Sequence, residues 1–106
     1  MLIELRQYRC RPGQRAKWVE FMDKEIIPFQ SSKGMVIMGS FTAEEDDDAY
    51  VWIRRFDDEA QRKEQYAAVY ESDEWKERLL PRVTELILRE EIRVTRLNPT
   101  PGSVLR

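Results

Sequence analysis

An α+β fold is predicted, with one antiparallel sheet of four strands and helices packed on a single face. Three observations predict it. Runs with the two-residue alternation of strands occur four times, apolar stripes at spacings of three and four mark helices, and the order is strand, helix, strand, strand, helices, strand. That order is the split βαβ, or ferredoxin-like, plan. A chain of 106 residues is enough for one domain, and folding at this size buries roughly 60–70% of the unfolded surface. The domain is expected over residues 1–97, with residues 98–106 as a C-terminal tail.

The first strand, Glu4 to Gly13, organises the rest. Ile3, Leu5 and Gln7 point one way, while Glu4, Arg6, Tyr8 and Cys10 point the other. Pro12-Gly13 turns the chain, and Trp18, Phe21, Met22, Glu25 and Phe29, helped by Val19 and Ile26, form an amphipathic helix. Pro28 is expected to end it, because proline disfavours helical geometry in the residue before it. Gln30 to Gly34 then reads as a polar linker. Met35–Thr42 and Tyr50–Phe56 are strands of a hairpin, joined by the acidic loop Glu44 to Asp48. Within the second of these, Val51 and Ile53 suit a helical cover, whereas Tyr50, Trp52, Arg54 and Phe56 share the opposite face. Asp57-Asp58-Glu59 opens a helix that runs on through Tyr66 and Tyr70, with Asp58 among the capping carboxylates. Ser72-Asp73-Glu74 opens another, with Asp73 read as its cap, Trp75, Leu79, Val83, Leu86 and Ile87 as its stripe, and Pro81 as a kink or break. Glu91–Leu97 alternates as the last strand.

Composition removes much of the usual repertoire. There is no histidine, so Ser-His-Asp and Cys-His catalysis, histidine general acid-base work and almost every zinc site are excluded. The single cysteine, Cys10, allows no intramolecular disulfide and no cysteine metal cluster. With 42% apolar and 36% charged residues the mixture is globular, and a net charge of −2 offers no excess to condense on nucleic acid or anionic lipid. The N-terminal residues lack the pattern of a signal segment, and no stretch approaches the roughly 18 apolar residues of a membrane span. The cytoplasm is the expected compartment, with neither membrane nor nucleic-acid partners.

The chain resembles the NIPSNAP family, small members of the dimeric α+β barrel superfamily. The features that carry the resemblance are Glu4-Leu5-Arg6-x-Tyr8 with Pro12-Gly13, the Gly39-Ser40-Phe41 strand, Phe56-Asp57-Asp58, and Asp73-Glu74-Trp75, spanning about Ile3 to Glu91. The resemblance implies a ferredoxin-like fold, a homodimer, and a pocket between helices and sheet or within a barrel. It implies no settled activity, since related barrels include cofactor-independent monooxygenases, muconolactone-type isomerases and haem-dependent enzymes. Members of the family often carry a histidine where this chain has Trp52 and an aromatic where it has Arg54. A mechanism resting on that histidine cannot operate here.

The candidate site follows from the loaded strand faces. Arg6 would grip a carboxylate or enolate oxygen, with Tyr8 donating beside it and Glu4 or Tyr8 moving a proton. An internal salt bridge from Glu4 to Arg6 or Arg54 that fixes the register is an equal reading. Trp52 and Arg54 would extend the pocket as a flat wall and a second anion contact, against the favoured reading of interface filling. Tyr50 and Cys10 complete the ligand-binding set. Neither metal nor cofactor is expected. Haem, with Tyr8 or Cys10 as axial ligand, is disfavoured without histidine, and Tyr66, Tyr70 and Trp75 read as core. Tyr8, Tyr50, Trp52 and Phe56 would leave a large apolar patch on a monomer, which a homodimer would close. A small organic ligand, bound or transformed by a cofactor-free oxygenase or isomerase, is the leading expectation. The alternative is a non-catalytic interaction or scaffold module filled by its own side chains. RNA binding by sheet aromatics ranks last.

Overall fold

The four predicted strands form one sheet. The computed structural model describes residues 1–106, and in it β1 (Leu2–Arg9), β2 (Val36–Thr42), β3 (Ala49–Phe56) and β4 (Arg93–Leu97) pair antiparallel in the order β2-β3-β1-β4. Strand β1 is therefore central, with Glu4 opposite Arg54 on β3 and Arg96 on β4. The ferredoxin-like plan stands. A bulge between Ile37 and Gly39 shifts the β2–β3 register. A side chain at Gly39 would start 2.5 Å from the Phe41 ring, so Gly39 is what lets that ring lie back along its own strand.

Helix α1 covers residues 15–32 and does not end at Pro28. Its middle turn, Met22–Ile26, is a π turn in which the Ile27 N–H donates to the Met22 carbonyl. The wider turn absorbs what proline disrupts in a regular helix, namely a missing N–H and a ring pressed on the carbonyl four residues back. Gln30 consequently lies in a helix, fully buried, rather than in a linker. Helix α2 (Glu59–Tyr70) is capped as expected, the Asp58 carboxylate accepting from the Gln61 N–H at 2.8 Å. Helix α3, residues 74–86, repeats the first device. Its π turn Glu74–Leu79 closes with the Leu80 N–H on the Trp75 carbonyl, and Pro81 follows. Its cap is Ser72 and not Asp73: Ser72 Oγ accepts from the Trp75 N–H at 3.1 Å, while Asp73 makes no capping bond.

The two sheet faces are the reverse of the sequence reading. Glu4, Tyr8, Tyr50, Trp52, Arg54 and Phe56 lie under the helices and are buried. Trp18, Met22 and Ile26 of α1, with Val83 and Leu86 of α3, pack on Tyr8, Tyr50 and Trp52 in one core cluster, while Phe56 joins Met35 and Val69 in a second. Large rings offer the helical stripes more apolar area than Val51 and Ile53 would, about 150–250 Å² for each aromatic. The uncovered face carries Leu5, Val51, Ile53 and the exposed Val36, Phe41 and Leu97. The expectation that Tyr8, Tyr50, Trp52 and Phe56 form an open patch is thus corrected, and with it any stacking platform for RNA. No helix is long and apolar enough to cross a membrane.

Candidate functional site

Strand alternation brings Glu4, Arg6 and Tyr8 to the helix side of β1, and the antiparallel register sets Trp52 beside Arg6 and Arg54 beside Glu4. Helix α2 then closes over them. Arg62, Tyr66 and Tyr70 recur every fourth residue, so one stripe of α2 delivers a guanidinium and two phenols to the same place.

At the centre is a buried ion pair. Arg54 donates to Glu4 Oε1 through Nη2 at 2.8 Å and Nε at 3.2 Å, both side chains being fully buried. Its remaining donors reach Gln30 Oε1 at 2.9 Å, the Tyr70 hydroxyl at 2.8 Å and the Tyr66 hydroxyl at 2.9 Å. The rings of Trp52, Phe56, Tyr66 and Tyr70 surround the guanidinium at 4.8–5.8 Å from their centroids. Glu4 Oε2 accepts from Tyr66 at 2.6 Å and from Arg62 at 3.0 Å. Both partners of the pair are saturated. Replacing one charge of such a pair leaves the other uncompensated, so the arrangement fixes register more surely than it adds net stability.

Burial alone raises the Glu4 carboxyl pKa, but the Arg54 charge and the bonds from Tyr66, Arg54 and Arg62 outweigh it and hold the group below the ordinary carboxylate range. The sign follows. A carboxylate with a depressed folded pKa contributes stability that is complete above its unfolded value of about 4.3 and is lost as pH falls through the folded one. The urea midpoint is therefore expected to drop on acidification below about pH 5, and Glu4→Gln is expected to flatten part of that drop. Identical pH profiles for the two proteins would show that Glu4 has no depressed pKa.

Beside this network lies a cavity of about 280 Å³, lined by Arg6 and Tyr8 from β1, Trp52 from β3 and Trp18 and Met22 from α1. Tyr70, Trp75 and Val83 line it from the other two helices, and Arg89 and Ile92 from the segment that leads into β4. Arg6 donates through Nε to the Tyr8 hydroxyl at 3.0 Å and through Nη1 to the Tyr66 hydroxyl at 3.3 Å. Its Nη2 is unspent. Tyr8 is buried, which pushes its pKa up and keeps the phenol neutral. It accepts from Arg6 and keeps its own proton for a further acceptor. The indole N–H groups of Trp18 and Trp52 are buried without partners.

The proposed residues thus divide. Arg6, Tyr8 and Trp52 meet at the cavity wall. Trp52 is a wall and not interface filling, since it is buried beneath the helices. Glu4 and Arg54 stand outside the lining with their hydrogen-bonding capacity used. Arg54, expected as a second oxyanion contact, and Glu4, expected as a proton carrier, are thus turned to each other and not to the cavity. Tyr50 is turned toward Ser40, with their oxygens 2.5 Å apart. Cys10 is fully buried, and burial pushes its thiol up to about 11. Neither residue lines the cavity.

Gln30, Arg62, Tyr66, Tyr70, Trp75 and Arg89 were not legible as site residues. For α2 a signal existed in the four-residue spacing of Arg62, Tyr66 and Tyr70, which puts polar tips on one helix face. For Gln30 it did not, because proline hid the helix that carries it. The acidic loop is tethered as well as solvated, Asp46 pairing with Arg9 at 2.6 Å.

A sequence model described as NIPSNAP matches residues 3–101. A search of curated proteins finds no match. Among solved structures, a NIPSNAP family protein of unknown function from Agrobacterium tumefaciens has a TM-score of 0.89 at 25% identity, covering 100% of this chain and 94% of the other. An uncharacterized NIPSNAP domain protein from Burkholderia xenovorans has 0.84 at 20%, covering 97% and 98%. An antibiotic biosynthesis monooxygenase has 0.70 at 18%, covering 95% and 100%, and so shares the fold. With the family pattern running over nearly the full length, the chain belongs to the NIPSNAP family.

Proposed function

We propose that this protein binds a small organic compound bearing an acidic or enolisable oxygen in the cavity between sheet and helices. The observation that carries the reading is Arg6, a 12% exposed guanidinium on the cavity wall with an unspent Nη2 beside the free phenol proton of Tyr8. A cation and a neutral donor converging on one apolar space form an oxyanion contact. The volume lies just under the usual ~300–1,000 Å³ of small-molecule sites. Where chemistry follows binding, a cofactor-independent oxygenation or isomerisation suits these residues. Arg6 would hold the enolate oxygen, Tyr8 would supply the proton, and Glu4 with Arg54 would position both.

A second copy on the open sheet face completes the proposal. Leu5, Val51, Ile53, Phe41 and Leu97 form an apolar patch on that face beside Gln7, Arg55 and Arg93, a pattern that favours burial against a like surface. The buried, unpaired Cys10 is compatible with a cytoplasmic setting. The interaction-module reading keeps one supporting observation, the Glu4–Arg54 network that closes on itself.

Native mass spectrometry of freshly purified protein tests both parts. A dimer carrying extra mass is expected, and Arg6→Ala is expected to weaken retention by roughly 10- to 150-fold, the worth of a hydrogen bond to a charged group, while the dimer persists. A ligand-free wild-type dimer would favour the interaction module. A monomer would remove the second copy.

A further inference from the structure

Among the side-chain groups of the cavity wall that keep an N–H or O–H for which the protein supplies no acceptor are Arg6 Nη2, the Tyr8 and Tyr70 hydroxyls, which accept without donating, the indole N–H groups of Trp18 and Trp52, and the guanidinium of Arg89. No carboxylate lines the wall. Two of these groups are cations, and they differ in depth. Arg6 is 12% exposed and lies within. Arg89 is exposed, the one lining residue that is, and so marks the mouth. The surface arginines of the helix before it have carboxylates to hold, Arg78 bonding Glu25 and Glu74 and Arg82 bonding Glu85. Arg89 has none, although Glu90 and Glu91 follow it directly.

We propose that the ligand is a flat, single-ring dianion. One acid group sits on Arg6 and Tyr8 inside, and a second reaches Arg89 at the mouth. This rests on the reading of the cavity as an organic-acid site and adds the second charge. An apolar body between the groups suits the wall, whose other members are mostly Met22, Ile26, Trp75, Val83 and Ile87. Size limits the body to one ring. A space of about 280 Å³ equals roughly nine waters of liquid volume, hence a ligand of about ten non-hydrogen atoms. A monoanion would satisfy the inner cation and leave the outer one idle.

Isothermal titration with benzoate and with phthalate, isophthalate and terephthalate tests the inference, using the wild-type protein and Arg89→Ala. Arg89 makes no contact whose loss would unfold the chain, and its melting temperature serves as the control. The best dicarboxylate is expected to bind about tenfold more tightly than benzoate, the worth of one charge-assisted hydrogen bond. Arg89→Ala is expected to remove most of that preference. Benzoate binding with no gain for any dicarboxylate overturns the dianion and leaves the organic-acid site standing. A gain that survives Arg89→Ala also overturns it, since the second charge is then read elsewhere. Failure of all four acids to bind the wild type overturns both.

Discussion

Glu4→Gln is expected to destabilise the protein by about 3–5 kcal/mol, because it keeps the shape of the side chain and removes the charge that Arg54 needs. Arg54 is fully buried, and its other contacts are neutral: Gln30, Tyr66, Tyr70 and four aromatic rings. Without Glu4 the guanidinium has no route to water and no anion. For a domain whose total stability is of order 5–15 kcal/mol this is a large part of the whole, and a fall in melting temperature of roughly 15 °C or more should accompany it. Urea and thermal melts would measure it. Replacing both charges, as Glu4→Leu with Arg54→Met, is expected to recover much of the loss, since an apolar pair demands no compensation. A single substitution costing under about 1 kcal/mol would show that solvent or neighbouring groups already screen the pair.

Trp18→Ala should have an effect of similar size for a different reason. Its side chain is fully buried between Tyr8, at 5.8 Å between ring centroids, and Tyr50, at 6.0 Å. Removing an indole from such a site costs about 3–5 kcal/mol, made of the lost transfer energy and the space left behind. That space would open into the existing cavity. Trp18→Phe is expected to cost less, because the indole N–H it removes has no protein partner to lose. The informative measurement pairs chemical denaturation with benzoate titration. A Phe variant that stays stable but binds more weakly assigns the N–H to the ligand, and one that binds as before assigns Trp18 to packing alone.

The plan of the fold was legible because alternation and helical spacing report directly on which residues share a face. Which face lies inside was not. Val51 and Ile53 have the composition of a buried strand face, and Glu4, Arg6 and Arg54 that of a solvated one. The assignment reverses because the charges neutralise one another across strands, Glu4 against Arg54 in register, and a contact between chain positions fifty residues apart leaves no local trace. The same limit applies to Gln30. By local rules Pro28 ends a helix, and only the π turn before it shows why this one continues. The cavity residues from β1 and β3 were legible as a loaded face. Those from α2 and the Arg89 segment needed the tertiary fold to bring them there.

A π turn is, in effect, one extra residue threaded into an α-helix without moving its ends. Two of the helices around the cavity carry such an insertion, at Met22–Ile26 and Glu74–Leu79, and each is followed two residues later by a proline. The proline opposes rewinding into regular geometry, so the extra residue is held in place. Deleting it would turn everything on one side of the insertion by roughly 100° relative to the other, since an α-helix advances that much per residue. Trp18 and Gln30 sit on opposite sides of the first insertion. The relation between the cavity wall and the buried arginine is thus set by a single count along one helix, and a change of length by one there would alter which side chains meet the ligand while leaving the sheet as it is.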